Sequence, residues 1–187
     1  MTPEELRSAV VEAAREMLRL GLVSGTSGNA SARDGDGLVI TPAGVPYEQM
    51  TEDDLVVMDM DGEPADGQGE PSSERRVHVA IYAARPDVGA VVHTHSVHAT
   101  AWSFLGEPLD TGTEELEAAA RGEVLTAPFA PTGTDEIAAA AVEALGDRHA
   151  VLLARHGVVA VGDTPAAALT TCVALERQAQ IAWLLRG

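Results

Sequence analysis

Lysine is missing from this chain. All twelve cations among its 187 residues are arginine, so chemistry that needs a primary amine is excluded: no Schiff base, no internal pyridoxal-phosphate lysine and no P-loop lysine. Cysteine is nearly missing too. A lone Cys172 forms no internal disulfide and no multi-cysteine zinc cluster, so a metal site has to use histidine and carboxylate. Positive charge is scarce, with 12 basic against 29 acidic residues and a formal charge of −17. That balance argues against a nucleic-acid backbone or an anionic membrane as partner. A small phosphate stays possible, because charge repulsion is screened over ~8 Å at physiological salt while a nest of backbone N–H groups binds an anion at contact. Long apolar runs are absent as well. None approaches the ~18 residues of a membrane span, and the N-terminal MTPEELRSAVVEAAREMLRL spreads charges through its apolar positions, unlike a secretory signal. A cytoplasmic protein is expected, with a single domain over residues 1–187.

What is present alternates between helical and strand patterns. Thr2-Pro3-Glu4-Glu5 is a capping box with proline at the first helical position, and Leu6, Val10, Ala13, Ala14 and Met17 recur at helical spacing until Gly21. The stretches LVITPAG and LVVMDMDG read as strands ending in turns, and GAVVHTHS and AVLLARHGVVAVG as buried strands. Helical patterns separate them over Glu74–Ala84 and Asp135–Leu145, and a last helix capped by Thr164-Pro165 runs to about Leu185. This is an α/β chain. The acidic, glycine-rich MDGEPADGQGEPSS reads as a surface loop.

Three of the six histidines fall in VVHTHSVHAT. On a strand, side chains alternate, so His93 and His95 point to one face. A His-x-His pair at a strand end gives a metal two ligands, and His156, after another apolar strand and before a glycine, offers a third. A lone histidine is more often an ordinary core or surface residue. That plainer reading is kept for His78, His98 and His149. GTSGNAS, Gly25 to Ser31, can present N–H groups to an anion, although such clusters are usually just turns. In PSSERRVHVAIY, Ser72 and Ser73 open a helix whose N-terminus favours anions, with Glu74 in its first turn. Taken alone, Glu74 reads as a cap-proximal charge.

In this order, GTSGNASAR, LVITPAGVPYEQMTEDDLVVMD, PSSERRVHVAIYAARPDVGAVVHTHSVHATAWS and LLARHGVVAVG closely resemble the class II aldolase/adducin family over nearly the whole chain. The resemblance implies a three-layer α/β/α sandwich around a mixed, largely antiparallel sheet, assembled as a homotetramer. It implies a zinc-dependent aldolase that cleaves L-fuculose 1-phosphate, or a related deoxyketose 1-phosphate, to dihydroxyacetone phosphate and a small aldehyde such as L-lactaldehyde. His93, His95 and His156 match the ligands of one zinc ion per subunit. Glu74 matches the catalytic acid/base and can also approach the metal. Gly28, Asn29, Ala43, Gly44, Ser72 and Ser73 match the positions that hold the substrate phosphate. At Ala43 the fuculose-phosphate enzymes tend to have threonine, so a hydroxyl contact is lost there while a backbone N–H contact would survive. The missing lysine agrees: an enediolate needs an iminium or a metal to hold its charge.

Other members of the same family compete. Pentulose-phosphate 4-epimerases share the zinc site, and HTHSVHAT looks similar to theirs, but they tend to carry aspartate where this chain has Glu74. They also tend to carry a His-Ala-Asp-Tyr stretch where it has DTGTEELEAAA. A methylthioribulose-1-phosphate dehydratase would use the same metal. Adducin-like heads are non-catalytic interaction modules and lack the full metal set. The fuculose-phosphate enzymes' tyrosine aligns at about Glu114, and their C-terminal closing tail has no counterpart before Gly187. The phosphate end therefore looks intact and the aldehyde end does not, which implies strict donor and loose aldehyde recognition.

Overall fold

The computed structural model describes residues 1–186. Helix α1, Pro3–Arg19, starts at the capping box read from the sequence: the Thr2 hydroxyl accepts from the Glu5 N–H, and the Glu5 carboxylate accepts from the Thr2 N–H. Strands β1 (Asn29–Asp34), β2 (Gly37–Ile40) and β3 (Val56–Asp59) follow, then helix α2 (Arg75–Ala84) and strand β4 (Ala90–Thr94). Two short helices come next, α3 (Val97–Ser103) and α4 (Glu114–Ala120), then the two-residue strand β5 (Thr126–Ala127). Helix α5 (Asp135–Leu145), strands β6 (Ala150–Leu153) and β7 (Gly157–Gly162), and helix α6 (Pro165–Arg186) complete the chain.

The described strands form one seven-stranded sheet in the order β3-β2-β1-β4-β7-β6-β5. Every pairing is antiparallel except β5 with β6. Helices cover both faces, so the mixed α/β/α sandwich expected from the resemblance is the observed fold. Strand alternation sorts side chains cleanly. Ala30, Ala32, Ala90, Val92, Val158 and Ala160 join the core under α1, α3, α4 and α6. Val91, Val151, Val159 and Val161 join the core under α2 and α5.

Two local features differ from the sequence reading. GTSGNAS is a turn only as far as Gly28, since Asn29 already pairs with His93 across β1 and β4. Asn, Ala and Ser are poor strand formers, and pairing with β2 on one side and β4 on the other overrides that preference. Glu74 is the N-cap of α2 and does not lie in its first turn. No helix among the described residues is long and apolar enough to cross a membrane.

Candidate active site

The site gathers at one end of the sheet's three central strands. Asn29 opens β1, His93 lies near the end of β4, and His156 lies in the turn before β7. Gly157 has no room for a side chain. A Cβ there would sit 2.3 Å from the Thr94 carbonyl oxygen and 3.1–3.3 Å from the rings of His95 and His93. The glycine after His156 thus lets the two strand ends close together.

His93 and His95 do converge, and His156 joins them. Their Nε2 atoms lie 2.8 Å (His95 to His93) and 3.3 Å (His93 to His156) apart. The Glu74 carboxylate completes the group, with Oε2 3.2 Å from His93 Nε2 and Oε1 2.9 Å from His156 Nε2. One ligand atom from each of these four residues lies within 4.8 Å of all the others. His93 Nδ1–H donates to the Val158 carbonyl at 2.7 Å, which fixes the ring and turns Nε2 towards the cluster. The buried Nδ1 of His156 has no partner among the described residues.

Glu74 does not behave as a cap. Its side chain makes no capping hydrogen bond and is nearly fully buried among the histidines. Burial pushes its pKa up, but the charge of His93 and hydrogen bonds from His156 and His93 outweigh that and hold the carboxyl well below the usual carboxylate range. Burial also opposes protonation of His93, and there the Glu74 carboxylate wins and raises the pKa. His95 goes the other way. Burial, then His93 and His156, lower it to about 4, so it is neutral at pH 7. Three converging imidazole nitrogens and an ionised carboxylate, with no thiolate, make a donor set that fits a borderline divalent cation. The four residues can hold such an ion.

A cavity of about 470 Å³ opens beside the cluster, lined by Glu74, His95 and His156 and by all six positions expected to hold a phosphate: Gly28, Asn29, Ala43, Gly44, Ser72 and Ser73. Gly28 has φ +76°, and a Cβ there would strike Val23 and the His93 carbonyl at 2.6–2.7 Å. Gly44 has φ +71° and meets nothing within 4 Å. Two expectations change in detail. The Ala43 N–H is already donated to the Glu70 carbonyl at 2.9 Å, so Ala43 offers the cavity a methyl group and no free donor. The Ser72 N–H is donated to Thr41 O at 3.2 Å, while its hydroxyl accepts from the Glu74 N–H at 3.3 Å.

Sequence reasoning missed Thr132 and Tyr47. Thr132 lines the cavity beside Gly133, whose Cβ position is 3.1 Å from the Ser73 carbonyl oxygen; the Thr-Gly turn in APTGT was its only signal. The Tyr47 hydroxyl donates to the carbonyls of Gly28 (2.6 Å) and Ser27 (3.1 Å) and braces the glycine loop. Glu114, aligned with the missing tyrosine, is exposed at the start of α4 and is not among the cavity residues. His98 pairs with Glu176 at 2.7 Å, and His149 lines a different cavity with Arg121 and Asp163. His78 is fully buried.

A mixed sheet between helical layers, with a Glu/His₃ cluster beside a polar cleft, defines a class, and comparison with known sequences agrees. Residues 8–183 match the class II aldolase and adducin N-terminal domain, so the chain belongs to that family. It is 43% identical over 160 residues to an L-fuculose phosphate aldolase of Escherichia coli O6:H1, covering 86% of this chain and 74% of that one. It is 42% identical over 178 residues to the 5-methylthioribulose-1-phosphate/5-deoxyribulose-1-phosphate aldolase of Rhodospirillum rubrum, covering 95% and 80%. An L-ribulose-5-phosphate 4-epimerase of Salmonella paratyphi B is 37% identical over 202 residues, covering 98% and 86%. Among solved structures, an L-fuculose 1-phosphate aldolase superposes with a TM-score of 0.93 at 33% identity, over 100% of this chain and 88% of that one.

Proposed function

We propose that this protein is a zinc-dependent aldolase that reversibly cleaves a ketose 1-phosphate into dihydroxyacetone phosphate and a small aldehyde. The observation that carries this reading is the orientation of Glu74: a residue in the N-cap position of α2 turns its carboxylate away from the helix and into three imidazoles. His93, His95 and His156 would hold the ion, with Glu74 able to approach it. When bound, the ion supplies Lewis-acid stabilisation of the negative charge that develops on the substrate's oxygens.

The chain's own residues account for the rest. The start of α2 faces the cavity, so its dipole and the Ser72 hydroxyl, together with the positive-φ turns at Gly28 and Gly44, suit a phosphate. Glu74, ionised beside the histidines, is placed to remove a proton from C3 of the donor in the condensation direction; in cleavage the protonated carboxyl returns a proton to C3 after the C3–C4 bond breaks, and the proton lost from the C4 hydroxyl as the aldehyde forms restores the balance. Relatedness to the two aldolases supports L-fuculose 1-phosphate or a 5-deoxypentulose 1-phosphate as the substrate class. The family resemblance implies a homotetramer, and exposed large side chains such as Val97, Phe104, Leu184 and Leu185 are available to a subunit interface.

Pentulose-phosphate 4-epimerisation is a second reading, supported by the Salmonella relative. One assay separates them. Metal-loaded protein is incubated with L-fuculose 1-phosphate, 5-deoxyribulose 1-phosphate, 5-methylthioribulose 1-phosphate and L-ribulose 5-phosphate. Release of dihydroxyacetone phosphate from one of the ketose 1-phosphates is expected. Conversion of L-ribulose 5-phosphate to its C4 epimer, with none of the 1-phosphates cleaved, would replace the aldolase reading.

A further inference from the structure

The Glu74 carboxylate is the end of a buried hydrogen-bond ladder. Helix α2 places His78 and Tyr82 four and eight residues after Glu74, on one stripe. Strand β1 places Asn29 and Ser31 on the face towards that stripe, and the two sets interlock. Asn29 Nδ2 lies 2.9 Å from Glu74 Oε2, Asn29 Oδ1 2.5 Å from His78 Nε2, His78 Nδ1 2.7 Å from Ser31 Oγ, and Ser31 Oγ 2.8 Å from the Tyr82 hydroxyl. The registers match because four helical residues rise ~6 Å and two strand residues ~6.6 Å. Asn29, Ser31, His78 and Tyr82 are all at most 1% exposed.

Chemistry allows one direction along this chain. An ionised Glu74 only accepts, so Asn29 must present its N–H to it and its oxygen to His78. His78 is then protonated on Nε2, its Nδ1 accepts from Ser31, and Ser31 accepts from Tyr82. Burial, with His93 adding to it, lowers the His78 pKa to about 3, which keeps the ring neutral as this pattern requires. An amide cannot pass a proton along, so the ladder orients and is no proton wire.

We infer that His78 is a positioning residue for the reaction: wedged between β1 and α2, it holds the Asn29 amide with its N–H towards the Glu74 carboxylate. Without the Nε2–H donor, the Asn29 oxygen is left buried and unpaired and the amide is held from the Glu74 side alone, so its N–H no longer has a fixed position against the carboxylate. The inference rests on the proton-transfer role proposed for Glu74.

Two variants of similar polarity test it. His78→Gln can place an N–H donor near Nε2, whereas His78→Asn places its nitrogen near Nδ1 and leaves Asn29 Oδ1 unpaired. The readout is exchange of the C3 hydrogen of dihydroxyacetone phosphate in deuterated water by metal-loaded protein. His78→Asn is expected to lower kcat ~10–100-fold, the usual cost of an outer-shell partner, with KM nearly unchanged. His78→Gln should recover most of that loss, and adding His78→Asn to Asn29→Ala should cost nothing beyond Asn29→Ala alone. Equal losses in both variants, or a multiplicative loss in the double variant, would reduce His78 to a fold support. If wild-type protein exchanges no hydrogen, the aldolase reading fails, and solvent exchange of the Asn29 side-chain amide, followed by NMR, still decides the positioning claim. Slow exchange in wild type and His78→Gln with fast exchange in His78→Asn supports it, and identical rates in all three overturn it.

Discussion

The two faces of the sheet use burial differently. Under α1, α3, α4 and α6 the strands contribute mainly apolar side chains, among them Ala32, Ala90, Val92, Leu152 and Ala160, with Thr94 a buried polar exception. Under α2 and α5 an apolar core of Val91, Val151, Val159 and Ile81 shares the layer with the polar stripe of Asn29, Ser31, His78 and Tyr82, which leads to Glu74. Within that stripe each buried polar side chain finds a partner, which is what makes its burial tolerable. One face therefore serves stability, and the other gives up part of its apolar area to fix a carboxylate and three imidazoles at a strand end.

The contrast can be broken most severely at the polar end. His93→Ala removes the proposed ligand that touches Glu74, His95 and His156 together. Metal analysis and cleavage assays should show both metal and activity lost, while full activity in a metal-free preparation would end the mechanism. Glu74→Gln keeps size and hydrogen-bonding reach but removes the proposed base. Turnover should fall ~10²–10⁴-fold, the usual share of general acid–base catalysis, with metal content unchanged. A side chain that merely sat at a helix N-terminus would cost ~0.3–1 kcal/mol of stability and leave the rate alone.

Damage to the apolar face should look different. Leu152 is fully buried on the face of β6 that α3 covers, so Leu152→Ala should cost ~2–5 kcal/mol in urea denaturation. The rate per folded molecule should stay near wild type, and a fall in rate matching that of Glu74→Gln would erase the distinction between the faces. The mildest test is pH. His78 has a folded pKa of about 3 through burial, below its unfolded value of ~6.5. Its contribution to stability is thus complete above pH ~6.5 and is lost as pH falls from there towards 3, because the unfolded chain binds the proton first. His95, lowered to about 4, acts in the same sense in metal-free protein. The urea midpoint of metal-free protein should drop across that window, and less steeply in His78→Gln; a slope unchanged by the substitution would contradict the buried neutral ring.

Legibility followed locality. The helix Asp135–Leu145 and the start of α1 are set by caps and periodicity a few residues long, and both lie where the sequence put them. His93, His95 and His156 were legible because a His-x-His spacing and a His-Gly turn are local signs of ligands, and the structure brings all three together with Glu74. Glu74 alone read as a helix-terminal charge, since the carboxylate's turn towards His93 and His156 depends on contacts across 19 and 82 positions of sequence. His78 and Tyr47 were illegible for the same reason: their partners, Asn29 and Gly28, lie on other elements, and no spacing announces them. Strand β1 was hidden by its composition, because NASARD becomes a strand only when β2 and β4 flank it.

Glu74 is proposed to move a proton at C3 of a phosphorylated ketone held beside the three histidines. Proton NMR of dihydroxyacetone phosphate in deuterated water, with no aldehyde present, tests it most directly. Zinc-loaded wild-type protein should exchange one C3 hydrogen stereospecifically, and zinc-loaded Glu74→Gln, still binding the phosphate, should do so ~10²–10⁴-fold more slowly. Near-normal exchange in the glutamine variant would show that another group moves the proton and would contradict the assignment.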